Sequence, residues 1–386
     1  MESKNTVSVV RLDDYDPKKA REALERLLLP IGGLDFVKPG MKVGIKVNLV
    51  SAMKPDAAAT THPAVVGALC EMLTERGAEV IIGDSPGGPF TAIYLNRVYS
   101  ASGMSGINMP GVALNRNYES AFCDGFEGAA SLKSFEYTAW VKDVDAIIDF
   151  AKLKSHGMMS LSAAVKNLFG CIPGTVKPEY HYRFPNTRDF ANMLVDLNVF
   201  FKPVLSIVDG VLAMEGNGPT MGNPRKVGAM IASRSSYACD RICADIIGLK
   251  EENVPTLALA RERGLCPARD EIETVGELND LIVSDFDNVE RLNSIEFLND
   301  LVGIRGKIWS GLLKKAMCSR PRLTSKKCVG CKKCFEICPA KAIIMKKGKP
   351  DIDRAKCIRC FCCQEFCPKG ALRVHRPLIA KLISKL

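Results

Sequence analysis

Eight cysteines near the C-terminus have the residue type and the spacing for metal–sulfur chemistry. They read Cys328-x2-Cys331-x2-Cys334-x3-Cys338-Pro339 and, 29 residues later, Cys357-x2-Cys360-x2-Cys363-x3-Cys367-Pro368. Thiolates at steps of three wrap one cubane in a tight loop. The fourth Cys, followed by Pro, sits too far along to close the same cluster and reaches across to the other. The spacing therefore predicts Cys328, Cys331, Cys334 and Cys367 around one [4Fe–4S] cluster, and Cys357, Cys360, Cys363 and Cys338 around a second. Zinc sites use ligand pairs divided by longer spacers rather than two triplets with trailing Cys-Pro. Disulfides suit small secreted domains, which a chain of 386 residues is not. Cys362 is an extra thiol beside Cys363 and is expected not to be a ligand.

A second set of chemically able residues lies at turns that the strand pattern places at one end of a sheet. These turns are Lys46-Val47-Asn48, Asp84-Ser85-Pro86-Gly87-Gly88, Lys152-Leu153-Lys154-Ser155-His156, and Asp209-Gly210 running on to Glu215-Gly216-Asn217-Gly218-Pro219. Lys166-Asn167-Leu168-Phe169-Gly170 joins them, on or just after a helix. Functional groups in parallel α/β sheets gather beyond the carboxyl ends of the strands. Lys46, Lys152, Lys154 and Lys166 on converging turns would repel one another, so an anion is expected among them. Asn48, Asp84 and Asn167 complete that ligand set. His156 and Lys166 are the candidate catalytic groups, His156 because imidazole titrates near neutrality. Asp84, Asp209, Glu215 and Asp240 offer a competing reading, a hard-cation site with oxygen ligands. Gly83 to Gly88 lacks the full dinucleotide or phosphate-loop pattern.

The elements that must position these groups alternate between strand-like runs and amphipathic helices, the pattern of a mostly parallel α/β sheet with flanking helices. Strands are expected at 6–12, 41–48, 79–82, 145–150, 204–208, 227–232 and 281–284, with helices at 17–29, 63–76, 91–102, 161–169, 188–201 and 237–247. Residues 177–186 read as a polar, aromatic loop. A helix over 307–327, broken at Pro321, would link the sheet to the cysteine repeats. The expected organisation is an α/β domain over 1–306, a basic linker over 307–322 and a small two-cluster α+β domain over 323–376. A tail over 377–386 follows, with Leu378, Ile379, Leu382, Ile383 and Leu386 at helical spacing. That tail is expected to dock on its own protein, with membrane-surface association the lesser option.

Charge separates the two halves. Residues 314 to 386 carry 20 Lys and Arg against 4 Asp and Glu, whereas the remainder carries 33 against 39. Two anionic clusters offset part of that excess. The rest predicts a surface that steers an acidic partner: an electron carrier such as a ferredoxin or flavodoxin, or a flavoprotein face. No groove-reading motif or aromatic platform for nucleic acid is visible. No apolar run approaches a membrane span and the N-terminus shows no signal-peptide core, so a cytoplasmic protein is expected. Abundant free thiols beside oxygen-sensitive clusters suggest a reducing, anaerobic setting.

Residues 323 to 376 resemble the bacterial two-cluster ferredoxin family. The turns of the larger part resemble the domain of unknown function 362 family over residues 7 to 248. The resemblance rests on Gly44-Ile45-Lys46-Val47-Asn48, Gly83-Asp84-Ser85-Pro86-Gly87, Lys152-Leu153-Lys154-Ser155-His156, Ala164-Val165-Lys166-Asn167-Leu168-Phe169-Gly170 and Asp209-Gly210. Family members often have Pro where this chain has Val47. The resemblance implies an iron–sulfur protein and supplies no substrate. The expected role is electron transfer through two [4Fe–4S] clusters. The alternatives are a reductase of an anionic substrate held by the α/β domain, and a binding or assembly factor with structural clusters.

Overall fold

The computed structural model describes residues 5–288 and 320–375. Strand β1 (Val7–Arg11) leads to helix α1 (Pro17–Leu28), where the Asp16 carboxylate accepts from the Lys18 and Lys19 amides and Pro17 fills the first turn. Ala20, Ala23, Leu24, Leu27 and Leu28 are buried, at the three-and-four spacing of a core-facing stripe. Strand β2 (Lys42–Val47) precedes α2 (Pro63–Thr74), capped by the His62 imidazole, which accepts from the Ala64 amide. Next come β3 (Glu79–Gly83), α3 (Ala92–Ala101) and β4 (Val112–Leu114). An antiparallel hairpin, β5 (Ser120–Asp124) with β6 (Ser134–Thr138), stands off the main sheet where the sequence pattern indicates no element.

The chain returns through β7 (Ala146–His156), β8 (Ser160–Ser162), and the helices α4 (Ala164–Asn167), α5 (Lys177–Arg183) and α6 (Thr187–Phe201). It continues through β9 (Leu205–Glu215), β10 (Asn223–Ser233), α7 (Ser236–Ile246), α8 (Pro255–Glu262) and β11 (Thr274–Gly276). The sheet order is β11-β1-β10-β9-β7-β2-β3-β4, with β8 added beside β7. Strands β9, β7, β2, β3 and β4 run parallel, and β10 is antiparallel to both neighbours. One face, with Ile45, Phe150 and Ile207, packs on α1 and α2. The other, with Ala151, Leu153 and Val208, packs with apolar residues of α4 and α7.

The mostly parallel sheet with flanking helices is as expected, but several elements differ. Strand β7 does not stop at Phe150: all eleven residues to His156 are buried, so the lysine-bearing segment expected as a turn is strand. Strand β9 likewise runs through Asp209 and Gly210 to Glu215. The helix expected over 161–169 is shorter, because β8 takes its first residues. Residues 177–183 are helical rather than loop. The strand expected at 281–284 is absent; a tight turn covers Leu278–Leu281 and the edge strand is β11 instead. There Gly276 has φ +103°, and a Cβ would lie 2.0 Å from the Val9 carbonyl oxygen, so only glycine permits this approach to β1.

Two compact units result, one made of residues up to Lys177 with Thr187–Asn288, the other of Pro178–Asn186 with the C-terminal residues. Within the second, β12 (Arg320–Leu323) pairs antiparallel with the last strand, β15 (Leu372–His375). Between them lie α9 (Lys333–Glu336), the hairpin β13 (Ile343–Lys346) with β14 (Lys349–Ile352), and α10 (Cys362–Glu365). The helix expected to reach Lys327 gives way to β12 from Arg320, Pro321 being tolerated in a two-stranded edge. The rest of that helix and the apolar tail lie outside the described residues. The apolar interior of this unit is small: Cys334, Ile343, Cys363 and Leu372 cluster together, and Ala342, Cys360, Phe361, Cys362 and Ala371 are also buried.

Candidate functional site

The cysteine repeats surround two hollows. Cys328, Cys331, Cys334 and Cys367 line one of about 360 Å³, together with Val329, Lys332 and Leu372. Cys338, Cys357, Cys360 and Cys363 line the other, of about 330 Å³, with Ile343, Ile352 and Phe361. Both are partly open to solvent. Each thus takes three thiols from one repeat and the trailing Cys-Pro thiol from the other. Among the described residues no three Cys, His, Asp or Glu side chains close on one point as ligands of a single ion would; the thiols ring a space instead. Soft sulfur donors around an apolar hollow fit a polynuclear iron–sulfur group.

Backbone geometry repeats with the cysteines. Left-handed residues occur in pairs 29 apart: Gly330 and Arg359, Lys332 and Phe361, Lys341 and Gly370. These turns reverse the chain near the thiols, and two amide groups face sulfur. The Ala342 amide donates to Cys338 Sγ and the Ala371 amide to Cys367 Sγ, both at 3.2 Å. Such donors stabilise negative charge on sulfur and raise a cluster's potential. Cys362 is buried at the start of α10 and lines neither hollow.

In the sheet unit, the predicted lysines are not gathered around a common point. Asp149 and Lys152 are three apart on β7, so they point to opposite faces. Lys46 faces the same side as its strand neighbour Asp149. Its Nζ lies 2.8 Å from Asp84 Oδ1 and 3.2 Å from Asn167 Oδ1. On the opposite face Lys152 Nζ is 2.8 Å from Asp209 Oδ2 and donates to the Tyr15 hydroxyl at 2.9 Å. Repulsion between Lys46 and Lys152 therefore needs no foreign anion, because each has a buried carboxylate. The expectation of one anion bound by all four lysines is corrected accordingly. Burial pushes the Lys152 pKa down, with Asp209 opposing it.

Five of the predicted residues do meet in one buried network. Asn48 Nδ2 donates to Asn167 Oδ1 at 3.0 Å, while Asn48 Oδ1 accepts from Lys154 Nζ at 2.8 Å. Lys154 also donates to the Ala59 carbonyl. With Lys46 and Asp84 this links β2, β3, β7 and α4. Gly170 makes the assembly possible, since a Cβ there would lie 2.1 Å from Asp84 Oδ1. His156 is fully buried, and its Nδ1 accepts from the Met158 and Met159 amides, a turn-closing role. Lys166 Nζ lies 5.9 Å from the centre of the Phe169 ring. The proposed cation ligands disperse as well. Asp84 and Asp209 hold lysines, Glu215 accepts from the Asp287 amide, and Asp240 caps α4 by accepting from the Ala164 and Val165 amides.

Four residues of these networks escape the sequence reading. Asp149 is wholly buried and receives Asn167 Nδ2 at 2.6 Å; burial raises its pKa well above the carboxylate range against the pull of Lys46. Tyr15 donates to Asp209 Oδ1 at 2.8 Å and stacks on His62 with ring centres 3.6 Å apart. Burial pushes His62 down to about 4. Lys177 donates to the Ser85 carbonyl, faces the Phe169 ring, and is driven down to about 8 mainly by burial. His62 is the N-cap of α2 and Tyr15 stands just before the N-cap of α1, positions that would have flagged them.

Comparison with known proteins bears on both units. A thylakoid-associated protein of Synechocystis sp. is 33% identical over 296 residues, 76% of this chain and 90% of the relative. Among solved structures, a Thermotoga maritima structural-genomics target matches at 15% identity and TM-score 0.36 over 61% of this chain and 59% of that one. The lactate racemase apoprotein from Thermoanaerobacterium thermosaccharolyticum matches at 10% identity and TM-score 0.39, over 62% of this chain and 57% of that one. The chain thus spans under two thirds of either structure. Residues 320–368 match the 4Fe-4S dicluster domain, which indicates iron–sulfur electron transfer. Residues 43–245 match the Domain of unknown function (DUF362), and with the Synechocystis relative this makes the chain a member of the DUF362 family.

Proposed function

We propose that the protein transfers electrons through two [4Fe–4S] clusters between an acidic redox partner and a site on the α/β unit. Cys328, Cys331, Cys334 and Cys367 would hold one cluster, and Cys338, Cys357, Cys360 and Cys363 the other. The crossed membership of the two four-thiol hollows carries this reading. Clusters held this way supply one-electron chemistry, and the chain contributes thiolates, amide donors to sulfur and surrounding positive charge. Iron and acid-labile sulfide analysis of anaerobically purified protein tests it, with about eight of each expected per chain. About four, or zinc in place of iron, would defeat it. We place the protein in the cytoplasm; no helix among the described residues is long and apolar enough to cross a membrane. Recovery in a washed membrane fraction would overturn that placement.

A second reading, reduction of an anionic substrate at the α/β unit, is supported by the two cations on one ring. Lys166 and Lys177 both bear on Phe169, at 5.9 and 5.6 Å, and Lys166 helps to depress Lys177. An anion there would relieve that repulsion. Phosphate and small carboxylates should then raise the melting temperature of wild type beyond a chloride control, and Lys166→Ala should lose the rise. If no anion does so, electron relay alone stands.

A further inference from the structure

The two repeats occupy equivalent places in a pseudo-symmetric unit, yet they meet solvent differently. Cys331 is exposed where its counterpart Cys360 is buried. Lys332 and Lys333 are exposed; the matching positions 29 residues on are Phe361 and Cys362, each 1% exposed. Phe335 is 48% exposed where Gln364 is fully buried, and Val329 beside the first hollow is 64% exposed. Large apolar side chains left in water next to lysines have the composition of a docking face: an apolar centre with a charged rim. The rim is nearly all of one sign, with Lys326, Lys327, Lys332 and Lys333 exposed and Glu336 the one acid among them.

We propose that an acidic one-electron carrier docks on Val329 and Phe335 within the rim of Lys326, Lys327, Lys332 and Lys333, making the first repeat the electron port. The inference rests on the electron-transfer reading and adds to it a direction. The reduced carrier gives up one electron to the oxidised cluster beside Cys331 and is left oxidised, with no bond made or broken. The second repeat, with buried Phe361 and Cys362 in place of Lys332 and Lys333, is then the inner station. A small apolar centre suits the weak, short-lived encounters of redox partners, whose interfaces fall below the standard size. The lysine rim supplies complementarity and steering to a negative partner. A second copy of this chain would bring its own positive charge to the same rim.

The experiment uses the full chain with its clusters, prepared anaerobically, and an acidic flavodoxin reduced beforehand. Stopped-flow absorbance follows cluster reduction in wild type, in Lys332→Glu/Lys333→Glu, in Phe335→Ser, and in Arg354→Glu/Lys356→Glu. The last makes the same charge change at exposed residues preceding Cys357. The first pair should slow the second-order rate about tenfold at low salt, an effect that fades as salt screens it, and Phe335→Ser about threefold; the control pair should change it less than about twofold. Zero-length carbodiimide coupling, which joins lysine to carboxylate and needs no turnover, should map to Lys332 or Lys333. Equal slowing by both pairs, coupling centred on Lys356, or no exchange between wild type and the carrier would overturn the port. So would a dimer in sedimentation that Phe335→Ser dissociates, because the face would then belong to a second copy. Iron content is measured on every sample. Loss of iron in wild type would defeat the electron-transfer reading itself, whereas full iron with an indifferent rim defeats only the port.

Discussion

The cysteine repeats and the lysine-bearing strands both present groups of one kind at close quarters, and they resolve the crowding differently. In the repeats the thiols come from short local spacings and leave hollows between them. In the sheet two of the ammonium groups meet carboxylates distant in sequence: Lys46 finds Asp84 and Lys152 finds Asp209. Like charges close in sequence therefore point to a ligand only when the fold brings no counter-charge of its own.

Removing a cluster should separate the two regions most sharply. Cys338→Ser should halve the iron content and affect the hollow lined by Cys357, Cys360 and Cys363, although Cys338 belongs to the first repeat. With four cysteines among its few buried apolar residues, Cys334, Cys360, Cys362 and Cys363, the small unit should lose its calorimetric transition on complete iron chelation. The sheet unit's transition should persist. One transition that vanishes as a whole would show that the sheet also depends on the clusters.

The buried pairs give the next largest effect. Lys152→Met should cost roughly 3–5 kcal/mol in urea unfolding, because it leaves Asp209 charged and buried. Asp209→Leu combined with it should recover much of that loss. A double variant no better than the single would show that the hydrogen bonds to Tyr15 and to the His62 amide, rather than the charge pair, carry the stability. Neither variant should alter iron content, which keeps this test independent of the previous one.

Acid and base should act on the sheet in opposite senses. His62 resists protonation down to about 4 in the folded state against about 6.5 unfolded. Its contribution is present above pH 6.5 and lost as pH falls toward 4. Asp240 keeps its proton up to about 7 against 3.8 unfolded, for reasons of burial opposed by two backbone amides. Its contribution is fullest below pH 3.8 and lost as pH rises through 7. In urea titrations across pH, His62→Phe should flatten the first slope and Asp240→Asn the second. Unchanged slopes would mean that water reaches both groups. The smallest effect expected is that of Cys362→Ser: both clusters intact, with visible absorbance unaltered.

How far the sequence could be read follows the same division. Thiol spacing is local chemistry, so the crossed grouping of the eight cysteines around two hollows is legible from 41 consecutive residues. The sheet class is legible because buried parallel strands are continuous apolar runs. The ends of β7 are not, because Lys152 and Lys154 look like a solvated strand end. Their partners Asp209, Asn48 and the Ala59 carbonyl lie 57, 106 and 95 residues away, beyond the reach of any local pattern. Asp149 and Lys177 escaped for the same reason: nothing beside them in the chain announces a buried carboxylate or a desolvated amine.

One consequence follows from the pairing of β12 with β15, the first and last strands of the small unit. The register from Arg320 opposite His375 to Leu323 opposite Leu372 brings the point where the chain enters to the point where it leaves. A module whose ends meet adds little loop-closure entropy when it is spliced into a host's surface turn. Residues 320–375 thus have the end-to-end geometry that insertion within a surface turn requires, as well as that of a segment joined at one end.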